Sequence, residues 1–266
     1  QILVKLLTSS GLHFHIASGL DIKRSLGITR GKDDKTDSKR IALYGYRLRE
    51  ELTPFQPHAE ILDVLKRLMS MRKKLVIQRA GHITTLGEQI KVLDQTENKI
   101  LFQAQKEIIT TLNKQISVLE KEMDKLIRQD PELNELHKLL TSIKGIGIVT
   151  ARFLIVYTTG FSAFKSWRKF ASYCGIAPFP NSSGSSVRGR TKVSHLANKE
   201  GKTLLNLCAT SAIQSSPEMR AYYERRVQEG KNKMCTLNII RNKLLARAFA
   251  VVQRKTPYVD TMRYAS

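Results

Sequence analysis

Three groups of residues combine types and spacings that chemistry can use. The first is the acidic pair Asp34 and Asp37, in the run Gly31-Lys32-Asp33-Asp34-Lys35-Thr36-Asp37-Ser38-Lys39-Arg40. Two carboxylates three residues apart at the entry to a helix share one face of it. They repel unless one is protonated or a cation bridges them. A hard divalent ion, Mg²⁺ or Mn²⁺, would bridge them and could activate water or polarise a phosphate. Acidic residues at a helix N-terminus also serve as caps and complement the dipole, with no metal involved.

The second group is Ser142-Ile143-Lys144-Gly145-Ile146-Gly147-Ile148-Val149-Thr150-Ala151, a helix, a Gly-hydrophobic-Gly turn and a second helix. This is the helix-hairpin-helix pattern. Gly145 and Gly147 would let the backbone approach a phosphate beside Lys144, and the following helix offers free N–H groups. Such a contact is independent of base sequence. A tight turn between two packed helices has the same pattern.

The third group runs from Cys174 to Lys192. Ser182, Ser183, Ser185 and Ser186 lie in a Pro/Gly-rich stretch beside Arg188, Arg190 and Lys192. A serine hydroxyl can attack a phosphodiester if cations stabilise the charge that develops. A flexible polar loop that touches phosphates is the plain alternative. No lipase-type nucleophile elbow is present, and the order of His and Asp gives no hydrolase triad. Tyr222-Tyr223 before Arg225-Arg226 hints at a tyrosine nucleophile, but the pair reads as ordinary helix surface.

The elements that must position these groups are mostly helical. Leu3, Leu6 and Leu7 have helical spacing, Gly11 is a C-cap candidate, and 13–16 could be a short strand. Ile41, Tyr44 and Leu48 mark another helix, and Pro54 and Pro57 bracket a linker. From His58 to about Leu140 the pattern is long and helical, with breaks expected at Gly81 and Gly87. Ile109, Leu112, Ile116, Leu119, Met123 and Leu126 form an a/d seam. It spans under three heptads, so it fits an intramolecular antiparallel hairpin and a dimer zipper equally. Asp130-Pro131 ends it. Helical patterns return at 204–213 and 237–252, and the Ser/Gly-rich stretch 181–191 reads as a loop. The domains expected are 1–53, 58–138 and 139–266.

Charge is the strongest bulk signal. The 266 residues carry 45 Lys and Arg against 23 Asp and Glu, a net charge of +22. Residues 141–266 hold 21 of the basic and 5 of the acidic side chains, a net of +16. Such a field attracts polyanions and releases their counterions on binding. With Lys199, the cations of the second and third groups form the candidate nucleic-acid-binding set. A membrane surface would ask instead for one basic amphipathic helix. No apolar run reaches the roughly 18 to 20 residues needed to span a bilayer. The three cysteines, Cys174, Cys208 and Cys235, form no CxxC pair. They fit a reducing cytoplasm and the role of small buried hydrophobes.

In this order, and separated by a coiled-coil-like region, the three groups resemble the one-ten family of insertion-sequence transposases, also called Piv-like or DEDD transposases. The strings Ile22-Lys23-Arg24-Ser25-Leu26-Gly27 and Arg30 through Ala42 are similar to the segment that carries the family's last two acidic ligands. That resemblance assigns Asp34 and Asp37 to the metal. The string from Ile143 through Gly189, with Pro178–Gly184, is similar to the family's transposase domain. It places the nucleophile at Ser183, with Ser182 as the confusable neighbour. The resemblance implies a mostly α chain: a remnant of an α/β RuvC-like domain, a coiled-coil middle, and a helical C-terminal domain with a helix-hairpin-helix-like element. It puts Asp34 and Asp37 side by side at the edge of a partial sheet. It further implies a Mg²⁺- or Mn²⁺-dependent DNA recombinase that works with a guide RNA encoded by the element, acts as a homo-oligomer in a prokaryotic cytoplasm, and uses its basic surface for both nucleic acids. The family's first Asp and its Glu have no counterpart here, so the metal site is expected to be incomplete and the chain to be cut at its N-terminus. Two other readings compete: a non-catalytic nucleic-acid-binding protein built on the hairpin motif, and a scaffold assembled through the coiled coil.

Overall fold

The 3/4 spacing from Ile109 to Leu126 winds into one continuous helix, packed antiparallel on the long helix before it. In the computed structural model, α4 (Glu60–Gln89) and α5 (Lys99–Gln129) lie side by side. Arg72 bonds to Glu120 at 2.6 Å, Arg79 to Asn113 at 2.9 Å and Gln105 to Gln89 at 2.6 Å, so positions that pair run in opposite directions. Within the chain, the seam therefore closes an intramolecular hairpin, with Ile116 and Met123 buried along it.

The structure describes every residue except 1, 26, 28–32, 56–58, 184–186 and 261–266. For 181–183, 187, 188 and 190 it describes the backbone alone. Leu26, Arg30, Gly31, Lys32, Pro57, Gly184, Ser185 and Ser186 of the motifs above thus lie outside the described residues, as do the side chains of Ser182, Ser183, Arg188 and Arg190.

Gly81 and Gly87 do not interrupt α4, contrary to expectation. A glycine inside a helix costs about 1 kcal/mol relative to Ala. Packing along a helix of 30 residues outweighs two such costs. The break comes instead at 90–98, where Asp94 accepts from the N–H groups of Thr96 at 2.8 Å and Glu97 at 3.1 Å. Asp130 closes α5 and caps α6 (Pro131–Thr141), accepting from Leu133 N at 3.0 Å, with Pro131 in the first helical position where its missing N–H costs nothing.

The chain divides into two compact units, 1–59 and 60–266. The first contains α1 (Ile2–Ser9), α2 (Gly19–Ser25) and α3 (Asp34–Arg47). None of its described residues is buried. The expected strand at 13–16 and the partial sheet are not present among its described residues. Residues 13–16 lie outside any helix or strand, and the backbone hydrogen bond that reaches them among the described residues runs from Phe55 N to Phe14 O at 2.7 Å, with the two rings stacked at 5.2 Å. A single bond is no ladder.

The second unit is built around α7 (Ile148–Tyr157), sequence IVTARFLIVY, which is apolar but for Thr150 and Arg152 and is buried from Thr150 to Val156. A helix of that character must be wrapped. Residues of α6, α8 (Trp167–Tyr173), α9 (Lys199–Ser215), α10 (Pro217–Gln228) and α11 (Lys233–Arg254) share its core, and the base of the α4/α5 hairpin joins it through Leu62, Leu65, Met123 and Ile127. Between α8 and α9 stand two antiparallel strands, β1 (Pro178–Ser183) and β2 (Val187–Val193). Most of the stretch expected as a loop is thus strand.

Candidate nucleic-acid interface

The hairpin β1/β2 grows from a fixed root. Gly175 has φ +65°, and a Cβ there would lie 2.5 Å from Ala197 Cβ, so only glycine lets the chain between β2 and α9 come this close. Asn238 and Asn242, both on α11, donate to the Ile176 carbonyl at 2.8 and 3.1 Å. Asn198 N donates to Tyr173 O at 2.8 Å, and Asn198 Oδ1 caps α9 by accepting from Gly201 N at 2.9 Å. Gly201 in turn passes against Cys174 and Phe153, with a Cβ there only 2.7 Å from Cys174 Sγ. Three asparagines and two glycines therefore hold the segment from which β1 starts.

The register pairs Ser182 with Arg188, Ser183 with Val187, Asn181 with Gly189 and Phe179 with Lys192. Pro180 has no N–H to give, and the ladder slips there, with Arg190 and Thr191 facing it together. Such a bulge bends the strand and sharpens its twist. Ser183 sits at the tip end of β1, and Arg188, Arg190 and Lys192 run down β2 from tip to root. One short hairpin gathers four of the residues the sequence singles out.

At its root the hairpin borders a cleft of about 870 Å³ lined by Lys192, His195, Lys202, Lys231 and Arg241, with Asn206, Asn238 and Cys235 among its other walls and no Asp or Glu among the described residues that line it. Arg241 is 5% exposed. It donates through Nη2 to Asn206 Oδ1 and through Nη1 to Asn238 Oδ1 at 3.4 Å. Burial lowers its affinity for its proton. Lys202, Lys231, Arg241 and the three asparagines of the root were not read from the sequence. Only the net +16 of 141–266 pointed towards them, and in bulk.

The Gly-hydrophobic-Gly turn also packs against α9. Gly145 has φ +96°, and a Cβ would fall 2.7 Å from Ala212 Cβ and 2.8 Å from the Cys208 carbonyl oxygen. Its glycine is required by packing against α9. Gly147 is the N-cap of α7 and lies open. Burial pushes the Cys208 thiol up, while hydrogen bonds with Thr150 and the Gly147 N–H pull it down. Lys144 pairs with Asp260 at 3.0 Å. The turn's groups are largely committed to neighbours inside the fold. Lys199, exposed at the start of α9, borders a separate pocket of about 380 Å³ between α4, α7 and α9, where Lys73 pairs with Glu200 at 2.8 Å and Arg152 with Asp124 at 2.5 Å.

Asp34 and Asp37 occupy the first turn of α3, with Asp33 rather than either of them as its cap, accepting from Thr36 N at 2.7 Å. That contact holds the Asp33 carboxyl below its usual range. Asp37 accepts from Arg40 at 2.9 Å. The pair stands on a helix and not at a sheet edge. Its oxygens suit a hard divalent ion in type, but they supply two ligands, one of them engaged by an arginine. Among the described residues, no group of three or more His, Cys, Asp or Glu could hold a metal. Cys174 and Cys208 are buried as expected, Cys174 with its thiol pushed to about 12 by burial. Cys235, facing the cleft, is exposed. No described helix is long and apolar enough to cross a membrane.

Comparison with known proteins adds a family. The model of the transposase IS116/IS110/IS902 family matches residues 137–224, and a transposase model of the DEDD IS110 type matches residues 1–97. The chain is 29% identical over 239 residues to the pilin gene-inverting protein of Moraxella bovis, covering 88% of this chain and 70% of that protein. The pilin gene-inverting protein of Moraxella lacunata matches to the same extent. The 43.6 kDa protein of insertion element IS110 from Streptomyces coelicolor is 30% identical over 131 residues, which is 49% of this chain and 32% of that protein.

Proposed function

From the membership of this chain in the IS116/IS110/IS902 family of transposases, we infer that it cuts and rejoins DNA through a serine at the tip of the β1/β2 hairpin. The family makes it a transposase or site-specific recombinase. The observation that carries the finer reading is the hairpin itself: Ser183 at the end of β1, Arg188 and Arg190 on the strand paired with it, and Lys192 at the root beside a cationic cleft.

In this reading the Ser183 oxygen attacks a phosphodiester phosphorus and gives up its proton. A Ser–O–P bond forms as the P–O bond to the departing sugar breaks, and the sugar oxygen takes up a proton. The covalent link conserves the bond energy for rejoining. Cations on β2 balance the charge on the pentavalent phosphorus. Asp34 and Asp37 would hold Mg²⁺ or Mn²⁺, which when bound supplies Lewis-acid polarisation of a phosphate. The match to the DEDD model supports dependence on a divalent metal in general. A guide RNA encoded by the element, assembly as a homo-oligomer and a prokaryotic cytoplasmic setting belong to the same proposal.

The test is a strand-transfer assay on DNA carrying the element's ends, with and without the element's RNA and divalent metal. Activity that needs the metal and is lost in Asp34→Asn and in Asp37→Asn supports the reading. Full activity in either variant, in a protein that still folds, would remove the pair from the mechanism.

A further inference from the structure

Two arginines are buried among the described residues of the second unit, and they are treated differently. Arg152, 3% exposed, has a carboxylate partner in Asp124 at 2.5 Å. Among the described residues Arg241, 5% exposed, has only the neutral amide oxygens of Asn206 and Asn238, and its Nε has no hydrogen-bond partner. A buried cation without a counter-charge is costly, and an anion bound beside it would offset that cost. Arg241 lines the cleft at the hairpin root together with Lys192, Lys202 and Lys231. None of these lysines has a carboxylate within ion-pair distance among the described residues, whereas Arg72, Lys73, Lys144, Arg152 and Arg247 of the same unit all have one. The asparagines hold two donors of the guanidinium, so its fork is oriented before any ligand arrives.

We propose that this cleft is a built seat for a backbone phosphate of a nucleic-acid strand, with Arg241 as its anchor and Lys192, Lys202 and Lys231 as its rim. The guanidinium fork matches a phosphate, and the lysines act as point charges along the strand. The seat lies at the root of the hairpin. Ser183 is five positions on from Pro178, so the proposed nucleophile is about 17 Å along the strand from the root. That is a span of several nucleotides, and the seat would thus hold the strand well away from the attacked phosphate. The proposal rests on the nucleic-acid reading above.

Cys235 supplies a readout that needs no variant. It is exposed and lines this cleft, while Cys174 and Cys208 are buried, so maleimide alkylation of the folded protein reports on Cys235. Labelling is followed at saturating DNA duplex and, separately, at saturating RNA hairpin, with fluorescence anisotropy confirming that each is bound. Severalfold slower labelling with either supports the seat, and the arm that protects identifies which nucleic acid occupies it. In parallel, Lys202→Gln with Lys231→Gln should lower the slope of log K against log salt by about 1 for each phosphate that is no longer neutralised. Arg241→Gln should weaken binding about tenfold or more, charge-assisted hydrogen bonds being the stronger kind. If that variant melts early, the lysine pair still decides. Arg67→Gln, an exposed cation on α4, should change neither quantity. Binding with Cys235 labelled at its free rate and the salt slope unchanged in the lysine pair overturns the seat and leaves the nucleic-acid reading standing. Failure to bind either nucleic acid overturns both.

Discussion

Residues 1–59 and residues 131–254 treat their apolar side chains in opposite ways. In the first, Ile2, Leu3 and Leu6 of α1 lie exposed, Ile2 at 88%, and no described residue is buried. In the second, α7 is buried along seven consecutive residues and α11 contributes Ile240, Leu244, Leu245, Ala248 and Val251 to the same core. The acidic pair stands on the first kind of ground and the serine hairpin on the second. Burial of apolar area is the main source of stability. The hairpin root is therefore fixed by the chain's own packing, whereas the geometry of Asp34 and Asp37 rests on the cap of a single helix and the Arg40–Asp37 ion pair.

The largest expected effect sharpens that contrast. Phe153→Ala should destabilise the second unit by about 3 to 5 kcal/mol, since Phe153 is fully buried against Tyr157, Phe170 and Gly201. Leu6→Ala, at an exposed site, should cost no more than about 0.5 kcal/mol. Urea denaturation followed by circular dichroism measures both. Comparable losses at the two sites would erase the distinction between the regions.

The two glycines of the turn break the comparison down further. Gly145→Val puts a side chain against Ala212 and the Cys208 carbonyl at a positive φ, and should cost about 2 kcal/mol or more. Gly147→Ala meets open space and loses only part of an N-cap, about 1 kcal/mol or less. Thermal melts of the two variants decide. If Gly147→Ala instead leaves stability alone and abolishes nucleic-acid binding, the turn contacts phosphate after all.

Much of this was legible in the sequence, and what was not has a physical reason. The spacing of Ile109, Leu112, Ile116, Leu119, Met123 and Leu126 is local, and it specified a helix with one buried seam. Asp33, Asp34 and Asp37 announced a helix start for the same reason. The glycine rule misled at Gly81 and Gly87, because a propensity of about 1 kcal/mol yields to long packing. The strands at 178–193 were hidden because Pro180, Asn181 and the serines read as loop, and pairing with β2 is information that no local window holds. Arg241, Asn206, Asn238 and Ile176 meet only after α9 and α11 pack. No spacing rule spans the 35 positions from Asn206 to Arg241.

A smaller effect concerns the hairpin's charge. Reversing Arg188, Arg190 and Lys192 to Glu together should weaken DNA binding about tenfold or more and reduce the salt slope by up to about 3. An unchanged anisotropy titration across salt would place binding elsewhere. The smallest effect is on pH dependence. Burial, then the nearby Arg152, lowers the pKa of His137 from its ordinary 6.5. The unfolded chain then binds the proton more readily than the folded one, so stability falls as pH drops below about 6.5 towards the lowered value. His137→Gln should flatten that part of the pH profile, and a profile unchanged by the substitution would remove His137 as its source.

The central claim is that the hairpin tip carries the nucleophile, and covalent trapping tests it most directly. The protein is incubated with metal and a DNA substrate carrying the element's ends, quenched with denaturant, and digested for mass spectrometry. A nucleotide remnant attached to Ser183, absent in Ser183→Ala while DNA binding is kept, is the predicted result. An adduct that survives Ser183→Ala but disappears in Ser182→Ala would move the nucleophile by one residue, and an adduct that survives both would contradict the serine mechanism.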